Sequence, residues 1–148
     1  MCVWLAQLSL QQSCRQTVGY PHATDDFMRY PHFVFPCLFR RAIEQVHRAL
    51  DAAQLEVASE WDIAYDIRTA MGTIVPPSRA ILVFDPVQLT KRTLLSPGAA
   101  FLASVPLQLN EENGQTSVWL LPHGNPPSWR RRLVEALQTQ GAVEVKAA

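Results

Sequence analysis

Cys37 is the residue whose type and position best suit it to chemistry. It follows Pro36 at the start of a well-patterned helix, where free N–H groups and the positive end of the dipole would stabilise a thiolate. The competing reading is packing. Cys37 lies among Phe35, Leu38 and Phe39, and a lone cysteine in such company more often serves as a small buried apolar side chain. Packing is favoured, and Cys37 is kept as the one weak catalytic candidate. Cys2 and Cys14 have no CxxC spacing and no histidine pair beside them, so no metal site is expected. His22, His32, His47 and His123 fall at no metal-ligand spacing. His47 takes the polar side of its helix and reads as solvated. His32 could approach Cys37 and activate it only if the chain turns tightly between them.

The carboxylates read mainly as structure. Asp62 and Asp85 stand where helix N-caps are expected, and Glu111-Glu112 ride on a hairpin tip as solubilising charge. Glu60 and Asp66 could look into a cleft with Tyr65 and Arg68, which makes Tyr65 and Arg68 candidate ligand contacts. Arg130, Arg131 and Arg132 form a basic run at a helix start, where they oppose the dipole. They read as a solvated face or, more sharply, as a site for a small anion or acidic partner. Trp119 and Trp129 are expected to border that surface, since aromatics beside arginine mark interfaces. No Gly-rich phosphate loop or nucleophile-elbow motif is present.

Those residues need elements to hold them. His32–Phe35 is a short strand closed by Pro36. From Leu38 to Ala53, apolar residues at Phe39, Ala42, Ile43, Val46, Ala49, Leu50 and Ala53 recur at three- and four-residue steps, which is an amphipathic helix laid on a sheet. Leu55 and Val57 alternate in a following strand. Asp62 then caps a helix turning Ile63, Ile67, Ala70 and Met71 inward, and Gly72 supplies its left-handed exit. Ala80–Phe84 is continuously apolar and reads as a strand buried on both sides. Asp85-Pro86 opens a short helix with Val87, Leu89 and Leu94 or Leu95 on one side, and Ser96-Pro97 suggests a further helical turn through Phe101. Val105, Leu107 and Leu109 alternate with polar or proline positions, Asn113-Gly114 favours a type I′ turn, and Thr116–Leu121 returns. Asn125 or Ser128 can cap a last helix carrying Trp129, Leu133, Val134 and Leu137 on one side. Gly141 ends it, and Val143 and Val145 form a short edge strand or a frayed tail.

This order of punctuation resembles the bacterial and archaeal family called Domain of Unknown Function 302. The likeness rests on the capped helix from Asp62 to Gly72, the strand Arg79–Phe84 and the Asp85-Pro86 step, where relatives carry Asn-Pro. It continues through Ser96–Gly98, the strand start Val105–Leu107 and the acidic-Gly hairpin. It covers residues 30–122. It implies a small α+β domain and a homodimer, and it brings no activity. Residues 1–29 have no counterpart in it, and Leu121-Pro122 stands where relatives tend to carry an acidic residue before proline.

The chain of 148 residues fits one domain with a real core. The expected architecture is α+β, with a mixed sheet of about four or five strands, helices mainly on one face, and the Asn113-Gly114 hairpin within it. Residues 1–29 form an N-terminal arm that packs on its own domain or on a dimer mate, or else docks a partner, and residues 30–148 form the domain. Thirteen basic and thirteen acidic residues cancel, which argues against general nucleic-acid or anionic-membrane binding. No apolar run approaches the roughly 20 residues of a bilayer span, and no signal peptide is read in the apolar residues near the start. Three dispersed cysteines suggest a reducing, cytoplasmic setting. The functional expectation is a non-catalytic binding or interaction module, acting as a homodimer on an unknown small ligand or protein partner, without cofactor or metal. The alternative is a thiol-based redox or sulfur-handling protein using Cys37.

Overall fold

The computed structural model describes residues 32–95, 104–121 and 128–145. The N-terminal arm, the step at residues 96–101, and the candidates Cys2, Cys14, His22, His123 and Asn125 lie outside the described residues. In chain order the elements are β1 (His32–Phe35), α1 (Phe39–Ala52), β2 (Glu56–Asp62), α2 (Ile63–Met71), β3 (Ser78–Phe84), α3 (Pro86–Leu95), β4 (Ser104–Glu112), β5 (Gln115–Leu120), α4 (Arg130–Thr139) and β6 (Val143–Val145).

The six strands form one sheet in the order β2-β3-β4-β5-β1-β6, and every neighbouring pair is antiparallel. The sheet is therefore antiparallel where a mixed one was expected. It also gains a strand, because Val143–Val145 pairs with Val34–His32 at the edge and does not fray. The α1 crossover places β2 at the far edge from β1, and three neighbouring pairs follow directly along the chain from β2 to β5.

Burial follows the two-residue period of a strand. Phe33, Phe35, Ile81, Val83, Val105, Leu107, Leu109, Val118 and Leu120 are buried and share one face. Ala42, Val46, Ala49 and Leu50 of α1 close over that face, with Leu133, Ala136 and Leu137 of α4 beside them. The other face is half-buried, and register sets Trp61, Ala80, Gln108, Trp119 and His32 in one row across it. A second row holds Ser59, Leu82 and Pro106. Ala80–Phe84 is thus not dry on both sides. Ile81 and Val83 enter the core, while Ala80, Leu82 and Phe84 keep partial exposure.

The turns are local chemistry. Asn113 and Gly114 take φ of 53° and 75°, as the tight hairpin requires. Asp62 Oδ1 accepts the Tyr65 N–H at 2.9 Å, and Gly72 leaves α2 at φ 67°. The Leu55 N–H bonds back to the Leu50 carbonyl and closes α1. Between them sits Gln54, left-handed without being glycine, at φ 56°.

Two helices bury less than their patterns suggested. In α2, Ile63 and Ile67 are only half-buried, and Ala70 and Met71 are exposed. In α3, Val87 and Leu94 face solvent. Both are short connectors between neighbouring strands, α2 from β2 to β3 and α3 from β3 to β4, and the buried core they adjoin is already filled by α1 and α4.

Candidate functional site

The residues singled out from the sequence fall in three places. Arg130, Arg131 and Arg132 open α4. Arg131 is spent on Glu135 one turn on, at 2.9 Å. Arg132 pairs with Asp85, whose other oxygen accepts the N–H groups of Val87 and Gln88 at 2.9 and 3.1 Å. Asp85 is therefore both the expected cap of α3 and the anion that Arg132 meets, and it is buried. Trp129 does not border this surface. It is 2% exposed and sits in the core with Leu133 and Leu137, one and two turns further along α4. Trp119 lies on the half-buried sheet face, stacked on His32 at 3.8 Å with the rings 5° from parallel.

Tyr65 and Arg68 meet in a cleft of about 230 Å³ at the edge of the sheet. Its apolar wall is Phe39 at the start of α1 with Ile74, Val75 and Pro77 of the segment before β3. Arg68 lies over the Tyr65 ring, its guanidinium carbon 5.5 Å from the centroid, within reach of a cation–π contact. Below them runs an ion-pair chain. His47 Nε2 is 3.2 Å from Glu60 Oε2, and Arg79 Nη1 donates to Glu60 Oε1 at 2.6 Å. Arg79 Nη2 reaches Asp62 Oδ2 at 3.3 Å. Arg79 Nε is buried and donates to nothing among the described residues. His47 is consequently not a simply solvated helix residue, and Glu60 is occupied. Neither of the carboxylates expected beside Tyr65 and Arg68, Glu60 and Asp66, lines the cleft; the helix cap Asp62 does, and Glu60 reaches it only through Arg79.

Sequence reasoning missed Glu111. It was read as solvated charge at a hairpin tip, yet its carboxylate accepts the Phe39 N–H at 2.9 Å, across 72 residues of chain. Its own N–H donates to the Pro77 carbonyl at 2.9 Å. Glu111 thus joins Phe39 to Pro77, two distant parts of the chain that meet in the cleft's apolar wall. The available signal was an acidic residue beside an otherwise uncapped helix, for Leu38 makes no side-chain cap. Only the tertiary fold pairs the two.

The same bond bears on Cys37. The N–H at the head of α1 is taken by the Glu111 carboxylate, so the dipole stabilises that anion and leaves the thiol to its surroundings. Cys37 Sγ donates to Gln45 Oε1 at 3.3 Å. Burial pushes the thiol above its ordinary value, and the Arg41 charge only partly offsets this. His32 stands at the opposite end of β1, stacked on Trp119 and away from Cys37.

An antiparallel sheet with helices closing one face, four helices and six strands among the described residues, defines a small α+β protein. Among solved structures the chain is similar to the crystal structure of the uncharacterized conserved protein DUF302 from Bacillus stearothermophilus. The TM-score is 0.55 at 13% identity, over 74% of this chain and 94% of that one. The likeness is one of fold, and at that level it agrees with the resemblance read from the central stretch. No family model matches the chain, and no curated protein does. Among the described residues no group of three or more His, Cys, Asp or Glu could hold a metal ion, and no helix is long and apolar enough to cross a membrane.

Proposed function

We propose that the protein is a non-catalytic binding module whose seat is the cleft between the start of α1, α2 and the segment before β3. The observation that carries this is the cleft's division of labour. Asp62 caps a helix, Arg79 is shared by two carboxylates and Glu111 fixes the walls, so these groups maintain shape. Arg68 has no carboxylate partner among the described residues, and Tyr65 and Ile74 expose apolar surface, 54% and 88%, where a ligand would lie. A pocket of this kind, apolar with a few fixed polar groups, is the usual form of a small-molecule site. Its volume falls below the roughly 300 Å³ of drug-sized pockets, which favours a small ligand.

The module is proposed to act as a homodimer in a reducing, cytoplasmic setting. The half-buried sheet face supports the dimer, because Leu82, Pro106 and Trp119 give it an apolar middle, with Trp61 exposed at the β2 edge, that a second copy would cover. Sedimentation equilibrium of the full chain tests the dimer: a two-chain mass should fall to one chain in Trp119→Glu. Thiol labelling across pH tests the absence of catalysis. Cys37 should stay slow until well above the free-thiol value of roughly 8.5, and fast labelling near neutrality would turn the reading toward thiol chemistry.

A further inference from the structure

We propose that the ligand of the cleft is a small monocarboxylate with an apolar body, its carboxylate gripped by Arg68. This rests on the binding-module reading and names the ligand class for that same seat.

The argument is one of charge and shape. Two guanidinium groups line the cleft, but they are not equivalent. Arg79 already divides its charge between Glu60 and Asp62, at 2.6 and 3.3 Å. Among the described residues Arg68 has the Tyr65 ring and no carboxylate, its guanidinium carbon 5.5 Å from the centroid. A guanidinium resting on an aromatic face keeps its N–H edge turned outward, and that edge matches the two oxygens of one carboxylate. A dianion is disfavoured, because the Asp62 side chain is 46% exposed in the same cleft and would repel the second charge. A fully neutral ligand would leave the Arg68 donors without a partner inside a site that had lost its water. The remaining surface asks for carbon: Phe39, Val75 and Pro77 form one wall, and Ile74 stands 88% exposed beside them. Burying that apolar area supplies the affinity, and Arg68 supplies the orientation.

The test is an amide-resolved NMR titration of the full chain with three probes of similar size: phenylacetate, phenylacetamide and benzylphosphonate. Phenylacetate should shift the amides of residues 64–68, 73–75, 78 and 79 saturably. Phenylacetamide should bind at least about tenfold more weakly, the usual loss when a charge-assisted pair goes unmade, and benzylphosphonate should also bind more weakly, because Asp62 repels its second charge. Arg68→Ala should bring phenylacetate down to the level of the amide, Arg68→Lys should retain part of the difference, and Arg131→Ala, at a distant helix, should change nothing. Arg68 is exposed, and the same spectra report whether each variant is folded. If phenylacetamide shifts the cleft amides as strongly as phenylacetate, or Arg68→Ala binds phenylacetate unchanged, the carboxylate assignment is overturned while the seat stands. If none of the three probes moves a cleft amide at millimolar concentration, the binding seat itself is overturned.

Discussion

The two faces of the sheet are built from the same strands and differ in what finishes them. On one face the apolar positions of β1, β3, β4 and β5, from Phe33 to Leu120, share a core with α1 and α4 and are almost completely buried. On the other, side chains of similar size stop at half burial, and polar residues such as Gln108, Asn110 and Ser117 alternate among them. The first face accounts for the fold, because removing water from that many apolar groups is its largest favourable term. The second contributes less to the single chain and leaves surface for association. The proposed ligand seat and the proposed dimer face lie at the sheet's periphery and on its second face, where the packing is incomplete.

The sharpest test of that contrast is a pair of matched truncations. Leu107→Ala, fully buried under the helices, should cost about 2–5 kcal/mol by denaturant unfolding. Leu82→Ala, on the neighbouring strand but the other face, should cost roughly 1 kcal/mol in dilute protein. If a second copy covers that face, the Leu82 penalty will grow with protein concentration while the Leu107 penalty stays nearer constant. Equal penalties at every concentration would erase the distinction between the faces.

Next in size is the junction where α3 meets α4. Asp85 holds two helix N–H groups and Arg132 with one buried carboxylate. Asp85→Ala should lose about 2–3 kcal/mol, a cap plus a charge-assisted bond. Arg132→Ala should lose less, about 1 kcal/mol, because its side chain is 43% exposed and solvent screens the pair. A larger loss for Arg132 than for Asp85 would mean that the ion pair, and not the cap, holds this corner.

Much of this was legible from residue order. The hairpin at Asn113-Gly114, the cap at Asp62, the exit at Gly72 and the burial stripe of α1 are local rules, and local rules can be read from a line of text. The half-open sheet was harder. Ala80–Phe84 is apolar at every position, so periodicity could not show which side faces the helices, and only pairing with the alternating strand β4 settles it. Trp129 follows the same logic: an aromatic beside three arginines suggested a surface, but the helical stripe it shares with Leu133 and Leu137 carries it inside. Tyr65 and Arg68 were found because they are neighbours on one helix. Their partners Phe39 and Pro77, and the Glu111 clamp between those two, come from distant parts of the chain, and nothing local announces them.

That clamp gives a smaller prediction. Glu111→Ala removes the acceptor for the Phe39 N–H and should cost about 1 kcal/mol, the value of a lost cap. It should also weaken phenylacetate binding at the cleft, since Phe39 loses its tether while the backbone bond from Glu111 to Pro77 remains. Glu112→Ala, on the exposed tip, should do neither. If the two variants behave alike, Glu111 is the solvated charge its position first suggested.

The smallest expected effect tests the half-buried face from within. His32 stacks on Trp119, and its Nε2 is buried without a partner among the described residues. Burial lowers its pKa below the ordinary value of 6.5, because the charged ring would lose its water. A lowered folded value means that the unfolded chain binds the proton first. Stability contributed by the neutral ring is therefore complete above pH of about 6.5 and is lost as the pH falls through the folded value. Chemical unfolding measured from pH 7.5 down to 5 should show this decline in the native chain and a shallower one in His32→Phe, which keeps the stack and cannot titrate. Were the dimer to use this face, dissociation on acidification would follow the same residue, and His32→Phe would hold the dimer to lower pH. A decline of equal slope in both chains would assign the acid sensitivity to other groups and leave the stacked pair a packing feature alone.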